Sequence, residues 1–198
     1  LKISINYQIN NGIENIVILG TTSETPTLSV EEQDSIVRTC WENFNGKINI
    51  IVGIGGNNTK ETISNGFKYK DMCDAFMVTV PYYNKPSQEG IYQHFSTIAQ
   101  LLGDKPIMLY NIPSRCGVSM NPEIVANLYN SFESIKAIKE ASGSITQALE
   151  IKNLCGIKIF SGDDSLTLPL MSIGGSGVVS VASNIIPKQM ITLVELFK

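Results

Sequence analysis

Seven short apolar runs recur along the chain and predict β-strands. They lie at positions 16–19, 48–54, 75–80, 106–110, 135–139, 157–160 and 178–181. Most are nearly continuous runs of Ile, Val, Leu and Met, with little alternation between apolar and polar residues. Such runs are typical of strands that are covered on both faces, as in a parallel sheet.

Helical patterns separate these runs, and several of them begin at clear capping signals. Ser29, with Glu32 three residues later, forms a capping box. Asn58 and Asn121 occupy similar capping positions. Apolar residues at helical spacing follow both Ser29 and Ser87. The regular alternation of strand and helix predicts βα units joined by right-handed crossovers.

A doubly wound sheet and a (β/α)8 TIM barrel both fit this alternation. No GxGxxG follows the first strand, and the glycine-rich run at 53–56 lacks the spacing of a nucleotide fingerprint, so we expect a tight turn there. Unusual polar residues follow the carboxyl ends of nearly every strand, which is where barrel enzymes build their sites. The sequence therefore favours the barrel.

The length bears on how much of a barrel is present. The chain has 198 residues, fewer than the roughly 250 that are typical of a complete barrel. Helical patterns stand at both ends of the sequence. We therefore expect residues 1–198 to form a single (β/α) barrel domain, truncated at both ends, with about seven of eight strands and without the C-terminal helices.

Composition excludes several classes of protein. The net charge is −3 with no long run of one sign, which argues against a nucleic-acid partner. No apolar run reaches the length of a membrane span. Four scattered cysteines without a CxxC favour a reduced, cytoplasmic protein. His94 is the only histidine, so we expect no histidine-rich metal site, and its place at the edge of an apolar helical stripe predicts a packing role. We also expect no metal and no cofactor.

The stretch at 134–143 carries the clearest candidate chemistry. Lys136 and Lys139 have opposite parity on the predicted strand and therefore face opposite sides of the sheet. A lysine that points inward among Ile and Ala is desolvated, which lowers its pKa. A neutral amine is the nucleophile that Schiff-base chemistry requires. The alternative is a strand-end lysine that pairs with Glu140.

Six segments of the chain, in order and at matching spacing, resemble a known family. They are GTTSETPTLS, PYYNKPSQEG, YNIPSRCG, IKEASG, SGDD and GVVSV. The resemblance is to the dihydrodipicolinate synthase family, in the pyruvate-dependent class I aldolase superfamily that also contains N-acetylneuraminate lyase. It implies an enzyme that condenses pyruvate with L-aspartate 4-semialdehyde through a lysine Schiff base, in lysine biosynthesis through diaminopimelate.

The resemblance also implies roles for individual residues. Lys139 would capture pyruvate, and Tyr110 would relay protons with the help of Thr21 and Tyr83. Arg115 would hold the carboxylate of the semialdehyde at the site entrance. The implied substrate-binding set is Thr22, Arg115, Gly162 and Val179.

Structural explanations for these residues remain open beside the catalytic ones. Thr21 could be only a turn residue, and Ser114 and Arg115 could belong to a solvated loop. Tyr82 and Tyr83 could form a packed aromatic pair. Residues 162–164 are expected to shape a strand–helix junction, with Asp163 capping the next helix.

One position departs from the family pattern, and a second set of residues concerns regulation. Ser23 stands where the family usually has glycine, so a positive φ there would shift the loop that carries Thr21 and Thr22. Part of the family has a regulatory lysine site. Its matching positions here are Thr25, Gln33, Asn57, Glu61 and Tyr82. Gln33 replaces a histidine, whereas Asn57, Glu61 and Tyr82 agree with the inhibited type.

The implied partners are small-molecule substrates and further copies of the chain. The resemblance implies a homodimer or homotetramer in which Tyr83 enters the neighbouring subunit's site, with no nucleic acid and no membrane as partner. Two other functions are retained: another pyruvate aldolase such as N-acetylneuraminate lyase, and an inactive truncated barrel with a structural role.

Overall fold

The computed structural model describes residues 1–197 and contains one sheet of seven parallel strands. The strands follow one another around the sheet in sequence order. They are β1 (Asn15–Ile18), β2 (Asn49–Gly53), β3 (Ala75–Thr79), β4 (Ile107–Asn111), β5 (Ile135–Glu140), β6 (Lys158–Ser161) and β7 (Gly177–Val178). The predicted α/β barrel architecture with seven strands is therefore confirmed.

The connections between consecutive strands contain helices. The helices are α1 (Lys2–Asn10), α2 (Val30–Phe44), α3 (Thr59–Tyr69), α4 (Gln88–Leu102), α5 (Pro113–Cys116), α6 (Pro122–Ser131), α7 (Ile145–Leu154), α8 (Thr167–Ser172) and α9 (Pro187–Phe197). Contacts join neighbouring helices as well as neighbouring strands, as expected of a layer of helices outside a curled sheet.

Alternate residues of each strand contribute to two separate apolar clusters. Phe76, Leu109 and Ile138 belong to the larger cluster, which includes buried residues of the surrounding helices. Met108 and Tyr110 belong to a smaller cluster with Met77 and Ala137, which contains residues of the strands and of the segments that follow them. Because side chains alternate across a strand, the smaller cluster marks the interior of the barrel.

Most of the predicted capping signals are seen. The Ser29 side chain accepts a hydrogen bond from the Glu32 backbone N–H, and the Glu32 carboxylate accepts one from the backbone N–H of Ser29. Asn58 accepts hydrogen bonds from two backbone N–H groups of α3. Asn121 occupies the cap position of α6, but its side chain makes no capping hydrogen bond, so its predicted side-chain role is wrong.

The last strand differs from its prediction. The run at 178–181 was expected to form a strand, but β7 contains only Gly177 and Val178. Gly177 has φ +145°, a conformation that favours glycine. The Val179 backbone N–H still donates to Ser161 of β6, but the chain beyond it forms a loop that leads into the 3-10 helix Ala182–Asn184. There the backbone N–H groups of Val181 and Ala182 donate to the Asp164 carboxylate instead of to a strand.

The glycines at 53–56 serve a different purpose from the tight turn that the sequence predicts. None of its glycines has a positive φ. A Cβ atom at Gly53 would collide with the carbonyl of Leu19, and one at Gly55 would collide with the backbone of Thr79. These glycines therefore permit a close approach between neighbouring backbones at the carboxyl ends of the strands.

No helix within residues 1–197 is both long enough and apolar enough to cross a membrane.

Candidate active site

The residue pair at the centre of the candidate site is set by strand register. Tyr110 on β4 and Lys139 on β5 are partners across the parallel ladder. Both therefore face the barrel interior, and the Lys139 Nζ lies 4.2 Å from the centre of the Tyr110 ring. An ammonium group at this distance is attracted to the negative face of the aromatic ring. The ring does not, however, replace the solvation that the ammonium group would have in water.

The environment of Lys139 makes its amine easier to deprotonate. Burial lowers the pKa of Lys139 from 10.5 to about 8, because the charged form loses solvation. The charge of Arg115 acts in the same direction, whereas the Asp164 carboxylate raises this pKa. A lysine with this pKa is far more often neutral near neutral pH than an ordinary lysine, and the neutral amine can act as a nucleophile.

Tyr110 is held in its protonated form. Burial raises the pKa of the Tyr110 phenol, while the nearby Thr21 hydroxyl and the Arg115 charge lower it. Arg115 therefore influences both Lys139 and Tyr110, although its own side chain is exposed. A protonated phenol beside an amine can donate a proton to, or recover one from, a reacting group.

Lys136 has the opposite orientation, as its parity predicts. It is exposed and its Nζ lies 3.7 Å from Glu133. The alternative pairing of Lys139 with Glu140 is wrong, since no such ion pair occurs among the described residues. Glu140 shares the parity of Ile138 and faces the helices instead.

Glu140 belongs to a buried hydrogen-bonded network that the sequence analysis missed. It is only 4% exposed. It accepts hydrogen bonds from the Asn111 side chain at 3.1 Å, the Ser142 backbone at 2.7 Å and the Gln147 side chain at 3.4 Å. Burial raises the pKa of Glu140, and these donors oppose the rise. Asn111 and Glu140 are register partners, so they join β4 to β5 directly behind Tyr110 and Lys139.

Gly162 and Val179 lie at the ends of the next two strands. A Cβ atom at Gly162 would lie 2.6 Å from the Cβ of Ala141 and 3.1 Å from the Cε of Lys139, so glycine leaves room for the lysine side chain. The backbone N–H of Val179 donates to the carbonyl of Ser161. Both residues are therefore close to the end of β6, on the same face of the barrel as Lys139.

The loop that carries the two threonines has an unexpected backbone. Thr21, Thr22 and Ser23 form a short 3-10 helix after β1. The positive φ in this loop belongs to Glu24, at 51°, and not to Ser23. The expected penalty for serine at position 23 is therefore wrong, because a 3-10 helix has ordinary negative φ values.

The loop after β3 lies against the loop after β4. The backbone N–H of Tyr83 donates to the carbonyl of Cys116 at 3.3 Å. Tyr83 has φ +73° and its side chain is 86% exposed, so it points away from the body of its own chain. Tyr82 is partly exposed, and no stacked pair of these two tyrosines occurs within residues 1–197.

A cavity of about 460 Å³ adjoins these loops. It includes Thr21 and Arg115, and residues of the β1 and β3 ends. All five positions of the expected regulatory set also line it: Thr25, Gln33, Asn57, Glu61 and Tyr82. The Gln33 side chain donates to the backbone carbonyls of Thr25 and Leu28, so its amide is already engaged in holding the loop.

His94 and the acidic residues offer no metal centre. Across residues 1–197, no group of three or more His, Cys, Asp and Glu side chains is arranged to hold a metal ion. His94 is buried against Phe95, and its Nδ1 lies 2.8 Å from the Thr59 hydroxyl. Burial lowers the pKa of His94 to about 4. The predicted packing role of His94 is confirmed.

Comparison with known proteins gives one consistent result. Residues 1–198 match the model of the dihydrodipicolinate synthetase family. The 4-hydroxy-tetrahydrodipicolinate synthase of Azobacteroides pseudotrichonymphae genomovar. CFP2 is 49% identical over 200 residues, which cover 99% of this chain and 67% of that protein.

Solved structures agree in fold. The lysine-bound dihydrodipicolinate synthase of Cyanidioschyzon merolae is 40% identical with a TM-score of 0.95, covering 98% of this chain and 66% of that one. The chloride-inhibited dihydrodipicolinate synthase of Acinetobacter baumannii, complexed with pyruvate, is 37% identical with a TM-score of 0.93, covering 98% and 67%. The chain thus spans about two thirds of the length of these relatives.

Proposed function

Because the chain belongs to the dihydrodipicolinate synthetase family, we propose that it condenses pyruvate with L-aspartate 4-semialdehyde through a Schiff base on Lys139. The observation that carries this proposal is the position of the Lys139 amine, partly buried inside the barrel over the ring of Tyr110 with its pKa lowered to about 8. A buried amine with a lowered pKa is suited to attack a carbonyl carbon.

The first step forms the bond between enzyme and substrate. The neutral Lys139 nitrogen attacks the keto carbon of pyruvate, and the carbonyl oxygen leaves as water after it has gained two protons. The product is a protonated imine. Loss of a proton from the pyruvate methyl group then gives an enamine, whose carbon can attack the aldehyde carbon of the second substrate.

Each of these steps moves a proton, and we assign this role to Tyr110. The Lys139 nitrogen lies 4.2 Å from the centre of the Tyr110 ring, and the Thr21 hydroxyl lowers the pKa of the Tyr110 phenol. A phenol alone is a weak acid and base, but a chain of hydroxyl groups can orient and share the proton. We assign Thr21 and Tyr83 to this relay on the family pattern.

A polar region would bind the carboxylate of pyruvate, and a positively charged residue would bind that of the semialdehyde. Thr22, in the 3-10 helix after β1, is assigned to the pyruvate carboxylate together with the backbone near Gly162 and Val179. Arg115 is assigned to the carboxylate of the semialdehyde. Its guanidinium is exposed in a short helix at the rim of the cavity, where it can make a bidentate contact with an incoming carboxylate.

Tyr83 gives a reason for the proposed active form to be a dimer. It is almost fully exposed, and its own φ is positive at +73°. An aromatic residue displayed in this way is suited to an interface. We propose an isologous dimer around Tyr82 and Tyr83, in which each Tyr83 completes the relay of the neighbouring subunit and which can pair again into a tetramer.

The cavity also supports a proposal about regulation by lysine. Glu61 and Asn57 are exposed polar residues at its edge, and Tyr82 joins it to the proposed dimer interface. Free lysine carries an ammonium group that a carboxylate such as Glu61 can bind. Calorimetry with L-lysine tests this proposal, since binding by the wild type should be lost in Glu61→Ala.

The test of the overall function is the choice of second substrate. Purified protein is supplied with pyruvate and either L-aspartate 4-semialdehyde or N-acetylmannosamine, and the consumption of pyruvate is measured. The proposal predicts turnover with the semialdehyde. Turnover with the sugar alone would identify a different pyruvate aldolase, and turnover with neither would favour an inactive structural protein.

A further inference from the structure

The segment 117–121 has neither helix nor strand, and side chains from other elements hold it in place. It follows α5, the short helix that carries Arg115. Met120 is fully buried in this segment. Its backbone N–H donates to the Asn111 Oδ1 at 3.0 Å, and its carbonyl accepts from the Gln147 side chain at 3.2 Å. Because Asn111 ends β4, its side chain closes the loop that begins there, with Arg115 between the two ends.

The two backbone groups of Met120 determine how both amide side chains are oriented. A backbone N–H can only donate, so the Asn111 oxygen faces Met120 and its NH2 group faces the Glu140 carboxylate at 3.1 Å. A carbonyl can only accept, so the NH2 group of Gln147 faces Met120, and the same group lies 3.4 Å from the Glu140 Oε2. Both amides therefore present N–H donors to one oxygen of Glu140.

The other oxygen of Glu140 is engaged in the same way. Its Oε1 accepts a hydrogen bond from the backbone N–H of Ser142 at 2.7 Å. All the partners of this carboxyl group within residues 1–197 are thus N–H donors, and a proton on it would find no acceptor among them. The arrangement fits an ionised carboxylate, which binds N–H donors more strongly than a neutral acceptor does.

Glu140 follows Lys139 directly in sequence, yet the two residues are held by different contacts. Lys139 pairs with Tyr110 on one side of its strand and with Phe160 on the other. Arg115, by contrast, lies outside the sheet on a helix of four residues. The loop that carries Arg115 therefore depends on the network around Glu140 more than the position of Lys139 does.

We propose that Glu140 is a positioning residue for the second substrate: its carboxylate is the shared acceptor that aligns Asn111 and Gln147 on Met120 and so holds the loop that presents Arg115. This inference rests on the proposed function, in which Arg115 binds the carboxylate of the semialdehyde. A bidentate contact between a guanidinium and a carboxylate depends on orientation, so a displaced loop weakens it.

Three variants separate the tasks of the carboxylate. Glu140→Met removes both oxygens and keeps a side chain of similar length. Glu140→Gln keeps one carbonyl oxygen, which can serve either the Ser142 N–H or the two amides, but not both. Glu150→Gln is the matched control, since Glu150 is an exposed glutamate on α7, the helix that carries Gln147.

The first measurement is hydrogen exchange of the whole protein without substrate, followed by mass spectrometry. In Glu140→Met, exchange in the segment 117–121 should become faster by roughly tenfold, because the buried amides that hold it have lost their acceptor. Exchange in α2 should keep its wild-type rate. Glu140→Gln should loosen only one of the segments 117–121 and 141–144, and Glu150→Gln should loosen neither.

The second measurement is the KM for each substrate. In Glu140→Met the KM for L-aspartate 4-semialdehyde should rise by about tenfold, because Arg115 is no longer held in its place. The KM for pyruvate should stay close to the wild-type value, because the strand pairs of Lys139 remain. A role in stability alone would change neither constant selectively.

The outcomes decide between these roles. A folded Glu140→Met variant with wild-type exchange at 117–121 would overturn the proposal, as would faster exchange throughout the chain or an equal rise in both KM values. If that variant does not fold, Gln147→Leu keeps the carboxylate but removes its link to Met120, and the same measurements decide. A wild type that forms no pyruvate adduct would contradict the proposed function, whereas the exchange experiment would still show whether Glu140 holds the segment.

Discussion

Tyr110 and Lys139 are partners in the ladder between β4 and β5, and the lysine Nζ lies 4.2 Å from the centre of the tyrosine ring. Strand register thus brings the ring of Tyr110 next to a partly buried amine. Directly behind them, the hydrogen bond between Asn111 and Glu140 joins the same two strands on the opposite face. The relative position of these two side chains is therefore fixed by the sheet and not by a loop.

Replacing Tyr110 by phenylalanine removes the hydroxyl and leaves the ring over Lys139. We expect the variant to fold and to lose about 10²–10⁴-fold in kcat, the usual contribution of general acid–base catalysis. Steady-state kinetics and thermal unfolding check both statements. Tyr129→Phe is the matched control, since Tyr129 is a partly buried tyrosine that packs against the larger apolar cluster, between the sheet and the helices. Near-normal turnover in Tyr110→Phe would exclude the relay.

The lowered pKa of Lys139 predicts a stability effect with a definite sign. Below pH 8 the folded protein holds a charged, poorly solvated lysine, whereas between about pH 8 and 10.5 the unfolded chain binds the extra proton. The destabilisation is therefore complete below pH 8 and disappears as the pH rises towards 10.5. Lys139→Met should raise the free energy of unfolding at pH 7 by up to roughly 3 kcal/mol, and by much less at pH 10.

Urea unfolding at both pH values measures this difference. Lys136→Met is the matched control, since Lys136 is an exposed lysine on the same strand and should change stability little. A Lys139→Met variant that is no more stable than the wild type at pH 7 would show that the amine is better solvated than its burial implies.

Arg115→Ala should raise the KM for the semialdehyde more than the KM for pyruvate. The reason is the exposed position of Arg115 at the cavity rim, where it can meet an arriving carboxylate. Initial rates with each substrate varied in turn provide the two constants, and Arg38→Ala, at an exposed arginine on α2, serves as the control. Equal effects on both constants would argue against a selective role.

The exposed Tyr83 predicts that inactive variants complement one another. Tyr83→Phe and Lys139→Ala should each be inactive as homo-oligomers. After subunit exchange, some mixed dimers would contain one site with both groups intact, so part of the activity should return. Exchange is followed with a mass tag on one variant. Demonstrated exchange without any recovery of activity would mean that Tyr83 serves its own chain.

The sequence predicts the strands, the order of the helices and the inward direction of Lys139, because these features depend on local periodicity. It does not reveal the role of Glu140. An acidic residue on the helix-facing side of an apolar strand is unusual and could have indicated a buried polar network. Its partners Asn111 and Gln147, however, lie on other elements and are set by how these elements pack. Asp164 was assigned only to a junction for the same reason, since the backbone N–H groups that donate to its carboxylate lie 17 and 18 residues away.

The sequence pattern also did not predict which residues have a positive φ. The serine in place of glycine at position 23 suggested strain, yet the left-handed residue is the next one, Glu24. Leu19, at the end of β1, has φ 53° and is buried, and nothing in its residue type signals this. Strained residues of this kind persist when the surrounding structure fixes them, and these two flank the loop that carries Thr21 and Thr22.

The measurement that tests the central claim most directly is the trapping of pyruvate on the enzyme. Pyruvate and sodium borohydride are added together, so that any imine is reduced to a stable secondary amine, and the digested protein is analysed by mass spectrometry. We predict one adduct, on the peptide that contains Lys139, and its absence in Lys139→Met and without pyruvate. An adduct on Lys136 or Lys85 instead, or a folded protein that forms none, would contradict the proposed Schiff-base mechanism.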